Sequence, residues 1–217
     1  MEIVQNNTTA FFKDAKPASI RIWHWLVFVF FTSSIVTVIF GSTLFKTKNN
    51  ISMVQEQVQQ GGGSITEKQA RGVAHEYSDK LWMLHKYIGF GLAILMIWRV
   101  VAGVSMDKEK KLGARIRKAS NIPVATPGRQ HYLLVQYGYL VFYILFTIMV
   151  LTGLVLAFED VQWLDPIHKP SNKIHSIVQW GLYAYAILHI GGTIVADSTR
   201  YNGIVSRMIH GKNAPVI

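Results

Sequence analysis

The chain has 217 residues, half of them apolar and only 16% charged, with a net charge of +10 and a mean hydropathy of +0.25. A soluble domain usually carries about 25% charged residues, so this balance points to a membrane protein of one domain, residues 1–217. There is no cysteine, which excludes disulfides, cysteine-ligated iron–sulfur clusters, zinc-thiolate sites and thioether-attached haem. The basic residues lie beside apolar stretches, so the charge reads as membrane topology and not as nucleic-acid binding.

Residues 1–20 read as a polar tail, and no cleavable signal is expected, because the first apolar run is too long for one. The first predicted span is 22–45, with Trp23 and Trp25 at its head, where an interfacial aromatic belt belongs. Residues 46–80 read as a polar loop interrupted by Gly61-Gly62-Gly63. Ser64-Ile65-Thr66-Glu67 has a capping-box pattern, so a helix is expected to begin there and run toward the second span. That span, 81–106, is the weakest by hydropathy, since Lys86 and Arg99 flank a short uncharged core. The third, 132–158, is uncharged throughout, and the fourth is 174–196. The first and third runs are long enough to cross a bilayer of about 30 Å. In the tail, Ile204, Val205, Met208 and Ile209 alternate with Arg207 and His210 in a pattern suited to a short interfacial helix.

Loop 100–131 holds seven basic residues and loop 159–173 two, beside Glu159, Asp160 and Asp165. The positive-inside rule therefore places loop 100–131 in the cytoplasm, both termini with it, and loop 46–80 outside. The histidines then sort by depth. His24 begins a helix that enters from inside, and His85 one that enters from outside. His175 and His189 share the fourth span, about 21 Å apart on nearly one face. Two pairs at matched depth result, His24 with His189 and His85 with His175. A single membrane histidine often serves as an interhelical hydrogen-bond donor. Two on one helix at this interval, each with a partner at its own depth, suit two non-covalently held b haems stacked across the bilayer in an all-α, four-helix transmembrane bundle.

Haem is flat and large, and Gly89, Gly91, Gly181, Gly191 and Gly192 would leave room for it; close helix packing explains glycines there equally well. Arg21 and Arg99 are at the depth of the inner haem's propionates, Lys86 and Lys173 at the depth of the outer one's. Arg99 also suits an interface anchor.

At these residues the chain resembles the bacterial di-haem cytochromes b, of the cytochrome b561 and nickel–iron hydrogenase or formate dehydrogenase cytochrome b type. Arg21-x-x-His24-Trp25, His85-x3-Gly89 with Arg99, and His175-x13-His189 are similar to the first, second and fourth helices of that family. Leu151-Thr152-Gly153 and the tail 203–211 resemble its hydrogenase and formate dehydrogenase branch. The resemblance implies a multi-pass protein of the bacterial inner membrane. In it, a periplasmic iron–sulfur or other metalloenzyme unit would pass electrons through both haems to menaquinone or ubiquinone. It also implies a quinone site near the start of the third span, at Gly128, Gln130 and His131. A proton relay and an exposed interfacial histidine both fit His131. A homo-oligomer is compatible with the sequence. Two alternatives stand beside this reading. One is a free-standing quinol-oxidising or superoxide-handling cytochrome of the b561 type. The other is a non-redox, metal-binding tetraspan or transporter.

Overall fold

Each of the four predicted spans lies on a helix that starts before it does. A computed structural model describes residues 17–199 and 203–211. In chain order the helices are α1 (Ala18–Ser42), α2 (Thr47–Gln60), α3 (Glu67–Val104), α4 (Leu112–Ser120), α5 (Arg129–Ala157), α6 (Asp165–Thr199) and α7 (Ile204–His210), with short 3-10 turns at Lys108–Lys110 and Gln162–Leu164. No strand occurs among the described residues. Helices α1, α3 and α5 are long and apolar enough to cross a membrane. Helix α6 is not among these three, although it runs uncharged from Ile174 to Ala196. Gln179 and its two histidines dilute its apolar character.

The apolar side chains of these helices point outward. Only 17%, 17% and 6% of the most apolar windows of α1, α3 and α5 are buried. On α6, Ile187 and Leu188 are 72% and 74% exposed. Apolar surface of this extent is at home only in a solvent as apolar as itself.

The loop expected over 46–80 contains α2. Its signal was present: Ile51, Val54 and Val58 recur at helical spacing, and Ile51 is buried. The Asn50 amide donates to the carbonyls of Leu44 and Lys46 at 2.7 and 3.1 Å, satisfying acceptors at the corner between α1 and α2. Helix α2 ends at Gly61 and Gly62, the latter at φ 81°, a left-handed conformation that favours glycine.

The capping box that opens α3 sits two residues beyond the predicted one. Thr66 Oγ1 accepts the Gln69 N–H at 3.3 Å, and Gln69 Oε1 accepts the Thr66 N–H at 2.8 Å. The polar first third of α3 then carries the exposed i,i+4 pairs Arg71–Glu67, His75–Asp79 and Lys80–Glu76. Each is worth a few tenths of a kcal/mol at most. They suit a helix that continues out of an apolar layer into water.

Contacts divide the chain into two units, one comprising Leu26–Leu95, the other the residues up to Trp25 together with those from Met96 onward. Within the first unit α1 and α3 run antiparallel. A Cβ on Gly41 would meet Trp82, Thr37 bonds His85, and the ring of Phe30 fills the place of a side chain at Gly91. Gly91 is thus a packing glycine.

Within the second unit α5 and α6 form another antiparallel pair. Phe146 and Leu182, 1% and 2% exposed, lie at its centre. Helix α4 is fastened to α5 by Arg115, which donates to Gln136 Oε1 and covers the Tyr139 ring at 5.2 Å. Arg129 donates to the carbonyls of Ile122 and Ser120, acceptors at the C-terminal end of α4.

Helix α7 docks on the head of α1, where Trp25 Nε1 donates to the Met208 carbonyl at 3.1 Å. Arg207 is buried, whereas Val205 and Ile209 are exposed, as expected of a helix lying at a lipid boundary. Asp197, at the end of α6, accepts the N–H groups of Ile204 and Val205 and so caps α7. Asp197→Ala is expected to cost about 1 kcal/mol of local stability. Amide exchange at Ile204 and Val205 should accelerate correspondingly, and unchanged protection there would show that the cap contributes nothing.

Candidate functional site

Histidines His24 and His189, 165 positions apart in sequence by their numbers, meet in the second unit, their ring centroids 6.2 Å apart and their planes at 60°. An iron bonded to one nitrogen of each imidazole at about 2 Å would separate the two ring centres by roughly 6 Å. Tyr185, one turn before His189, stacks parallel to it at 5.8 Å. Trp25 meets the His24 ring edge-on at 5.4 Å. His24 Nδ1 is buried with no hydrogen-bond partner, and such an atom is costly unless something bonds it.

Around this pair lies an aromatic cluster of Trp23, Phe142, Tyr143, Phe146 and Tyr185. Arg99 reaches into it from the end of α3. Its Nε donates to Tyr143 Oη at 2.8 Å, and its guanidinium lies 5.9 and 5.4 Å from the Trp23 and Tyr143 ring centres. One of its five donors is thereby used, and the two rings fix the direction of the fork. Arg21 is directed at the end of α7, against Gly211 and with Nη1 3.5 Å from the Ile209 carbonyl. Its Nε has no hydrogen-bond partner.

The other two histidines are seated by threonines. His85 Nδ1 is 2.8 Å from Thr37 Oγ1 in the first unit, and His175 Nδ1 is 3.0 Å from Thr152 Oγ1 in the second. A Cβ on Gly153 would stand 3.2 Å from His175 Cε1, so glycine lets that ring approach. Beyond Gly89, one turn from His85, a Cβ would meet nothing within 4 Å; the same holds at Gly191 and Gly192 near His189. Gly181 packs ordinarily, its Cβ position 3.5 Å from Leu145. Lys86 is half-buried and Lys173 exposed.

Gly128 is the residue before α5 and takes φ 79°. The turn needs glycine there whatever else the position does. Gln130 is exposed and His131 half-buried at the head of α5. Sequence reasoning missed Thr37 and Tyr185 as neighbours of the histidines. Tyr185 could have been found from its i−4 spacing to His189; nothing local singles out Thr37.

Among the described residues, no group of three or more His, Asp or Glu side chains could hold a metal ion. The pair that the structure brings together, His24 and His189, offers two donors, and a porphyrin would bring the remaining ones. The residues therefore fit haem, and fit a bare ion poorly. A helical membrane protein presenting paired imidazoles without cysteine is of the b-type cytochrome class. The chain matches the family described as Prokaryotic cytochrome b561 over residues 16–211 and belongs to it. It is thus a membrane b-type cytochrome of electron transfer. No curated protein and no solved structure matches it.

Proposed function

We propose that the chain is a four-span, di-haem cytochrome b of the bacterial inner membrane, with both termini cytoplasmic. In this reading it carries electrons between a periplasmic redox unit of hydrogenase or formate dehydrogenase type and the quinone pool. The observation that carries the proposal is the 6.2 Å approach of His24 to His189, joined to the uninterrupted run of α6 between His175 and His189. That run keeps the two imidazoles about 21 Å apart along one axis. Depth along the spans supports His24 with His189 for the inner haem and His85 with His175 for the outer.

When bound, haem b supplies one-electron chemistry at its iron. The chain's own residues do the rest. His24, His85, His175 and His189 would hold the two haem irons. Arg99, braced by Tyr143 and Trp23, and Arg21 would supply positive charge for the propionates of the inner haem, and Lys86 and Lys173 for those of the outer. Gly128 turns the chain into α5, so that Gln130 and His131 line a quinone site with a donor and a proton-exchanging group.

Two measurements test this. A reduced-minus-oxidised visible spectrum with haem quantitation should give two haems b per chain, and a colourless protein expressed with ample haem supply would refute the proposal. Purification under mild detergent should bring down a periplasmic metalloenzyme unit. Turnover of quinol by the isolated chain would instead favour the free-standing cytochrome.

A further inference from the structure

The sequence singled out Leu151-Thr152-Gly153, and the function above leaves that motif unused. Its threonine has a counterpart in Thr37 on α1. Both hydroxyls sit in helix interiors, where threonine bonds back to a carbonyl three or four residues earlier. Thr152 Oγ1 is 2.7 Å from the Ile148 carbonyl, and Thr37 Oγ1 is 2.7 Å from the Ser34 carbonyl.

A carbonyl oxygen only accepts, so a contact of that length requires the hydroxyl proton to lie between the two oxygens. A hydroxyl has one proton. Each threonine oxygen can then meet its histidine only as an acceptor, and Nδ1 of each ring must carry the hydrogen. A neutral imidazole protonated at Nδ1 has its lone pair on Nε2, the nitrogen turned away from the threonine.

The geometry points to Thr37 and Thr152 as positioning residues that fix His85 and His175 in the Nδ1–H tautomer, each within its own unit, so that both offer Nε2 to haem iron. The inference rests on the proposal that these two histidines are axial ligands. Gly153 belongs to the same device, because a Cβ there would press on the His175 ring. His24 is seated differently, its Nδ1 having no hydrogen-bond partner. An acceptor on Nδ1–H also makes the imidazole a stronger donor to the metal, which favours the oxidised iron. The two haems of one chain would then differ in potential by ligand environment, the haem with threonine-seated ligands being held lower by this contribution.

The experiment uses the full-length protein in detergent, and identifies the relevant haem as the one lost in the His175→Ala protein. Thr37→Val and Thr152→Val remove the threonine acceptor and keep the volume. Each should weaken retention of that haem about 10- to 100-fold in transfer to apomyoglobin. Each should also raise its midpoint potential and leave the other haem's unchanged. Thr37→Ser and Thr152→Ser should restore both properties. Thr147→Val, which deletes a hydroxyl bonded only to the Tyr143 carbonyl, should change neither.

Wild-type retention and potential in both valine proteins would overturn the assignment, as would serine proteins no better than the valine ones. Should the valine proteins fail to accumulate, wild-type protein labelled with nitrogen-15 at histidine decides. Slowly exchanging Nδ1 protons on His85 and His175 support the assignment, and protons on Nε2 overturn it. A His175→Ala protein that keeps both haems would instead sink the axial-ligand reading itself, a result distinct from any of these.

Discussion

Alanine at His24 and alanine at His189 are each expected to remove the same haem and to spare the other. The two imidazoles lie with ring centroids 6.2 Å apart, a span that one haem iron would bridge, and among the described residues they belong to no larger group of His, Asp or Glu able to hold a metal ion. Without one of the two imidazoles, a haem in this site would be held by the other alone, the Tyr185 ring stacking on His189 and Phe142 lying against Tyr185. Haem content per chain should fall to half in each single variant, and the missing component of the low-temperature α-band should be identical in both.

His85→Ala and His175→Ala should delete the complementary component. The double variant His24→Ala/His175→Ala should bind none, although both substitutions leave a ligand to each site. Haem quantitation on purified protein decides the matter. Different components lost from the His24 and His189 proteins would disprove the pairing.

Arg99→Leu should lower the potential of the haem bound by His24 and His189. A permanent cation near a redox centre favours the reduced form, which carries one more electron. For unit charges about 8 Å apart at an effective dielectric of about 20, the interaction is roughly 2 kcal/mol. That corresponds to roughly 90 mV for a one-electron couple. Arg99→Lys keeps the charge and loses the Nε bond to Tyr143, so most of the potential should survive with a looser binding of haem. Potentiometric titration separates the two variants. An unaltered inner potential in the leucine protein would remove Arg99 from the electrostatics of the site.

Thr37 and Thr152 lie on the helices antiparallel to those of His85 and His175, and each satisfies its own proton locally. The resulting tautomer follows from elementary hydrogen-bond counting. It also gives the Thr-Gly step in α5 a physical role: the threonine accepts a hydrogen bond from the ring N–H and the glycine lets the ring come close.

The sequence alone determined the membrane class, the helical periods, the four histidines and the interval between His175 and His189, because these depend on composition and on the fixed rise of a single helix. The family followed from the order and spacing of the same motifs. It could also have disclosed α2, whose apolar spacing is local. Only tertiary structure brought His24 to His189 and Arg99 to Tyr143, and set Thr37 against His85 and Thr152 against His175. These contacts join residues on different helices, and their register is decided by how Phe30 fits Gly91 and how α5 packs on α6. Periodicity says which face of a helix is apolar, but a neighbour's identity at each turn depends on packing across the gap, which no single helix encodes.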